Sequence, residues 1–197
     1  SKASEQLAYE DIAVSKVALA EGETLITVAT QDFDGDPQDE QILAYRKKTE
    51  ADSPVLIDYV DFDEHFGGYR RVWTTESSVT RPRTVSLYVK DLIGDRSICV
   101  LVAGLNNQGE QTLTVLRKNP VSDYTSSSRQ DTPFSHIAEL HVDGSIIVQE
   151  EERSQAYQMG LASGTPFAIS TYGRDYESSN ILDQIEITYT YDKISGE

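Results

Sequence analysis

Apolar and polar residues alternate along most of this chain, in short runs broken by turn residues. Leu25-Ile26-Thr27-Val28-Ala29 and Gln41-Ile42-Leu43-Ala44-Tyr45 are two such runs. A third sets Val55, Ile57 and Tyr59 against Leu56, Asp58 and Val60. A period of two places successive side chains on opposite faces of a strand. The pattern predicts strands over 25–30, 41–46, 54–60, 69–74, 85–89, 98–105, 112–117, 136–142, 145–150, 166–171 and 184–191. Asn106-Asn107-Gln108-Gly109 between two apolar runs signals a hairpin. The segment 153–161 has room for a short helical turn, and no long helix is predicted. Residues 1–23 fit neither period cleanly and read as a lead-in segment, with Glu21-Gly22-Glu23 as a turn. Residues 24–197 form the β-repeat domain, with a loop seam near 118–135 where Ser, Asp, Thr and Pro collect.

Between the first two strands lies Asp32-Phe33-Asp34-Gly35-Asp36-Pro37-Gln38-Asp39-Glu40, with five carboxylates in nine positions. Like charges this close repel unless a cation sits among them or they splay into water. Calcium takes six to eight oxygens from carboxylates and backbone carbonyls, and loops of alternating Asp supply them. On that scheme Asp32, Asp34 and Asp36 offer side-chain oxygens, Gln38 its backbone carbonyl, and Glu40 closes the sphere. Gly35 lets the backbone bend inward. The opposing reading is a solvated acidic turn in an acidic protein. The loop is not an EF-hand: its Gly comes one place early and its closing acid at place nine.

Two further segments repeat the pattern. Asp175, Glu177, Ser179, Ile181 and Asp183 fall at the corresponding places, with Asn180 as an alternative ligand, and Gln184-Ile185 follows as Gln41-Ile42 does. This is a weaker metal candidate, because no Gly stands at place four. The third copy starts at Asp91, 59 residues after Asp32, and keeps Gly94 and Asp95. Its Ile93 and Cys99 are poor calcium ligands, and Arg96 offers a positive charge in place of an ion. The expected architecture is all-β: a β-propeller-like array of about three to four four-stranded units, with a two-sheet β-sandwich as the alternative.

The run D-x-D-G-D-x-x-x-E between two strands resembles the calcium loops of FG-GAP-type repeats, found in integrin-like β-propellers and bacterial surface proteins. A second resemblance rests on Phe62-Asp63 with Gly68-Tyr69-Arg70-Arg71-Val72-Trp73, on 106–115, and on Ile169-Ser170-Thr171-Tyr172-Gly173-Arg174-Asp175. These look like spirochaetal exported proteins described as pallilysin-related adhesins. That likeness implies a lipoprotein-like, extracytoplasmic setting (cell surface, periplasm or secreted) and binding to host extracellular matrix protein or glycan. The zinc motif H-E-x-x-H of the namesake's claimed proteolysis is missing, since His65, His136 and His141 lack that spacing.

Composition narrows the partners. With 33 acids against 17 bases the net charge is −16, which disfavours nucleic acid and anionic membranes. No apolar stretch is long enough to span a bilayer. Ser1 opens no signal peptide, as expected of a mature exported protein or a chain beginning inside a longer precursor. The single Cys99 sits in the apolar run 98–102 and reads as core. No G-x-S-x-G, P-loop or C-x-x-C occurs. The expected role is therefore a calcium-binding adhesin or interaction scaffold. The alternative is a hydrolase whose pocket lies on the loops of a β scaffold. Arg70, Arg71 and Trp73 are the candidate partner-binding residues, an aromatic beside two cations, with core packing of Trp73 as the competing reading.

Overall fold

The computed structural model of the chain describes residues 14–48, 51–120 and 132–197. These residues are all-β, in three antiparallel sheets, none of them closed. The chain divides into two compact units, Ser1–Ser77 and Ser78–Glu197.

The first unit is a four-stranded meander of β1 (Glu23–Gln31), β2 (Glu40–Lys47), β3 (Leu56–Asp63) and β4 (Gly68–Glu76), paired in chain order. The central strands are apolar on both sides, which explains why their sequence runs nearly continuously hydrophobic. Ile42, Ala44, Ile57 and Tyr59 are buried on one face. Leu43, Tyr45 and Val60 are buried on the other, against Leu25, Val28, Leu56 and Tyr69. A bulge interrupts β4: Tyr59 pairs with Trp73, but Val60 pairs with Arg71. The extra residue, Val72, places Arg71 and Trp73 on opposite faces.

Arg71 consequently turns towards Asp58 and Glu23. Its Nη1 and Nη2 donate to the two Glu23 carboxylate oxygens at 2.6 and 2.8 Å, and its Nε donates to Asp58. Asp58 is fully buried and also accepts from Thr74 Oγ1 at 2.7 Å. The guanidinium stacks 4.6 Å from the Tyr45 ring centroid. Both acids of this network thus have a charged partner, the condition under which burying them is tolerable.

The second unit begins with a short 3₁₀ turn, Pro82–Thr84. It carries β5 (Ser86–Lys90), β6 (Cys99–Leu105), β7 (Gln111–Lys118) and β8 (Phe134–Val142) in one sheet, in chain order. A second sheet holds β9 (Gly144–Gln149), β10 (Ala168–Arg174) and β11 (Gln184–Tyr189), with β10 central. A single helical turn, α1 (Gln155–Gln158), precedes β10. Cys99, Leu101, Leu113, Val115, Ile137 and Ile169 form one core between these sheets, with Ile146 and Val148 of β9 packed on it. Within this unit the arrangement fits the two-sheet sandwich alternative.

The predicted strands are all present, and the predicted Asn106–Gly109 turn joins β6 and β7 with Gly109 at φ +76°. The loop near 118–135 connects β7 and β8, which are hydrogen-bonded neighbours, and the units part between Ser77 and Ser78. Residues 121–131 of that loop, and 1–13 of the lead-in, lie outside the described residues.

Candidate metal centre

The acidic loop 32–39 bridges β1 and β2. Asp32 Oδ1 accepts from Gly35 N at 2.7 Å and from Asp34 N at 3.2 Å, an Asx turn that folds the first half. Gly35 sits at φ +85°, the left-handed region that a side chain disfavours. Asp34 Oδ1 accepts from Asp36 N at 3.0 Å and Asp36 Oδ1 from Gln38 N at 2.7 Å, so each acid turns back on the loop. Phe33 packs inward, edge-on to Tyr59 of β3, with ring centroids 5.9 Å apart. That contact holds the loop against the third strand.

Glu40, the first residue of β2, is completely buried. Its Oε2 accepts from Phe33 N at 2.6 Å. Its Oε1 is buried with no hydrogen-bond partner. Burial pushes the Glu40 carboxyl up to about 7; the Phe33 N–H opposes this, and the charges of Asp34, Asp36 and Asp61 add to it. An ionised carboxylate stripped of water and ringed by like charges is costly unless a cation joins it.

Asp34, Asp36, Glu40 and Asp61 each offer an oxygen, and all four oxygens lie within 4.8 Å of one another. Among the described residues no Lys or Arg pairs with Asp34, Asp36 or Glu40. Oxygens on opposite sides of one calcium ion stand roughly 5 Å apart, so one ion can touch all four. The donor set is all hard oxygen, which suits calcium or magnesium over softer metals. Of the five predicted ligands, the structure gathers Asp34, Asp36 and Glu40. Asp32 serves the turn, and Gln38 is placed by its N–H to Asp36.

Asp61 went unread as a ligand because it sits 21 residues from Glu40, just past the strand predicted over 54–60. It lies instead on β3. The pairing of Gln41 with Val60 puts Glu40 and Asp61 side by side on one face. Asp63, two residues on, accepts from His65 N and Phe66 N and pairs with Arg70 Nε at 2.6 Å. The run of acids at 58, 61 and 63 was the available signal, but only the register says which of them meets the loop.

Compared with known proteins, the chain matches no family model, no curated protein and no solved structure.

The β5–β6 loop joins the first and second strands of its sheet, as the acidic loop does, whereas the 175–183 loop joins central β10 to the edge strand β11. In the β5–β6 loop, Asp91 accepts from Gly94 N, Arg96 N and Tyr157 Oη, at 2.8, 2.9 and 2.6 Å. Arg153 Nη1 lies 3.5 Å from Asp91, and Arg117 Nη2 pairs with Asp95 at 2.9 Å. Positive charge is supplied there by Arg153 and Arg117. Arg96 points elsewhere, its Nη2 donating to the carbonyls of Tyr157 and Ala162.

In the β10–β11 loop, Asp175 Oδ1 accepts from Glu177 N at 3.0 Å, and Asp183 O accepts from Asp175 N at 2.9 Å. Ser178, not Ser179, donates to Asp183. Ile181 is exposed, and Asp175, Glu177 and Asp183 are not drawn into a group like the first.

Of the candidate partner-binding residues, the bulge sets Arg71 on the face opposite Trp73. Arg71 is committed to Glu23 and Asp58, Arg70 is exposed and paired with Asp63, and Trp73 is half-buried on β4. A cavity of about 420 Å³ in the second unit is walled mainly by Leu92, Ile137, Leu140, Phe167, Ile169 and Tyr189. No helix is long and apolar enough to cross a membrane among the described residues.

Proposed function

We propose that this chain is a calcium-binding β-repeat domain of an exported bacterial surface or periplasmic protein, acting as an adhesin or interaction scaffold. The observation that carries the reading is Glu40 Oε1, buried without a partner among three other carboxylates. A divalent ion supplies the missing charge, and its binding free energy becomes stability of the first unit. Affinity of about 10⁻⁴–10⁻³ M suffices in a calcium-rich exterior. In this reading the meanders β1–β4 and β5–β8 are propeller-blade-like units, each with its acidic loop between first and second strands. The scaffold role draws support from β11, an edge strand whose Ile185, Ile187 and Tyr189 stay exposed in a row. Such rows mark interaction surfaces.

Thermal unfolding with and without calcium tests the proposal. At ~2 mM calcium and a Kd of ~0.1 mM the stabilisation is about 1.8 kcal/mol, raising Tm of the first unit by roughly 7–14 °C. Asp34→Ala abolishes the rise. An unchanged Tm in the unaltered protein at millimolar calcium refutes the reading.

A further inference from the structure

We infer that Asp61 of β3 is a direct ligand of the divalent cation, completing a cross-strand centre with Asp34, Asp36 and Glu40, and that Asp32 is not a ligand but the residue that folds the loop. The inference rests on the calcium reading above and changes which residues carry it. A loop-only site draws every ligand from one turn. Here the register sets Asp61 beside Glu40, and Phe33 against Tyr59 fixes the loop over the same strand.

The acids alone do not make the case, since acidic clusters are common without an ion. The deciding observation is the fully buried Glu40 carboxylate, one of whose oxygens has no donor to satisfy it. Buried polar atoms nearly always have partners, and a lone one calls for an explanation. A cation shared with Asp61 provides it. Asp32 behaves differently: its Oδ1 accepts two loop N–H groups where Asp34 and Asp36 accept one each, and unlike them it is not among the four acids whose oxygens converge. A ligand on β3 also means that the ion fastens the β1–β2 loop to the third strand. Calcium should then slow amide exchange around Val60 and Asp61 as well as in the loop.

The test is calorimetric titration of the full chain with calcium chloride, comparing the unaltered protein with Asp61→Asn, Asp34→Asn and Asp32→Asn. Asn keeps the shape of each side chain and the Oδ1 acceptor that the Asp32 turn needs. Circular dichroism in chelator checks that each variant folds. Asp61→Asn and Asp34→Asn are expected to weaken Kd by about ten-fold or more, and Asp32→Asn by less than about three-fold. Unaltered calcium affinity in Asp61→Asn, with the parent protein binding, overturns the inference while the calcium reading stands. A ten-fold loss in Asp32→Asn overturns the role given to Asp32. No heat of binding and no Tm shift in the parent removes both readings. Should Asp61→Asn fail to fold, hydrogen exchange of the parent decides: calcium protection confined to the loop, sparing β3, refutes the cross-strand centre.

Discussion

Raising the pH of the calcium-free protein from 5 to 8 should weaken its first unit, and Glu40 sets the size of the effect. Its carboxyl titrates at about 7 in the folded chain, against an ordinary 4.5, chiefly because it is buried. Between those values the folded state holds a proton that the unfolded state has released. Stability therefore falls as pH rises through this window, by about 1.4 kcal/mol per pH unit at most. From pH 4.5 to above 7 the loss approaches about 3 kcal/mol, a large share of what a small domain possesses.

The groups held below their usual range, Glu23 and Asp63 in this unit, act in the opposite direction and only as pH drops below the ordinary carboxylate value. They leave the window clear. Urea unfolding in chelator, followed by fluorescence of the only Trp, Trp73 of β4, reads this unit at each pH. Glu40→Gln should flatten the profile, since a neutral amide needs no proton. Saturating calcium should flatten it too, by keeping Glu40 ionised in the fold. A midpoint that is constant or climbs between pH 5 and 8 in the parent protein refutes the reasoning about burial.

Three further predictions concern other parts of the fold. Arg71→Ala should destabilise the first unit by about 2–4 kcal/mol in urea unfolding, because it takes the guanidinium from the buried Asp58 and leaves it the hydroxyls of Thr74 and Tyr45. Gly94→Ala should cost the second unit about 2 kcal/mol or more in the same assay: the residue sits at φ +91°, and an added Cβ would lie 2.2 Å from the carbonyl oxygen of Gly164. Cys99 is completely buried and its thiol is pushed up to about 12 by that burial. A thiol reagent at pH 8 should therefore modify it only in denaturant, and rapid labelling of the native chain refutes that packing.

Much of the fold was legible in local pattern. Alternation over two residues is a property of a single strand, so the runs at 25–30 and 41–46 announced β1 and β2 without knowledge of their neighbours. The placement of Cys99 in an apolar run likewise announced its burial. The acidic loop was legible for the same reason: Asp32, Asp34, Asp36 and Glu40 are close in sequence and must stay close in space. The roles within it were not: Asp32, Asp34 and Asp36 all accept backbone N–H groups, and what sets Asp32 apart is that its oxygens do not converge with those of Glu40 and Asp61, which depends on where β3 lies. In the β5–β6 loop the sequence suggested Arg96 as the internal counter-charge, since it is the nearest base. The fold instead brings Arg153 to Asp91, across 62 residues.

What the sequence determined by itself is whatever depends on neighbours along the chain: strand content, turn positions and the one dense knot of negative charge. Tertiary structure alone decided how strands lie beside each other. One inserted residue in β4 sends Arg71 to the face opposite Trp73, so the aromatic and that cation form no common surface. The β2–β3 register carries Asp61 to Glu40 and leaves a buried carboxylate oxygen unanswered. Register between strands depends on turn geometry and on which faces find cover, energies summed over whole strands, and no short window of sequence contains them.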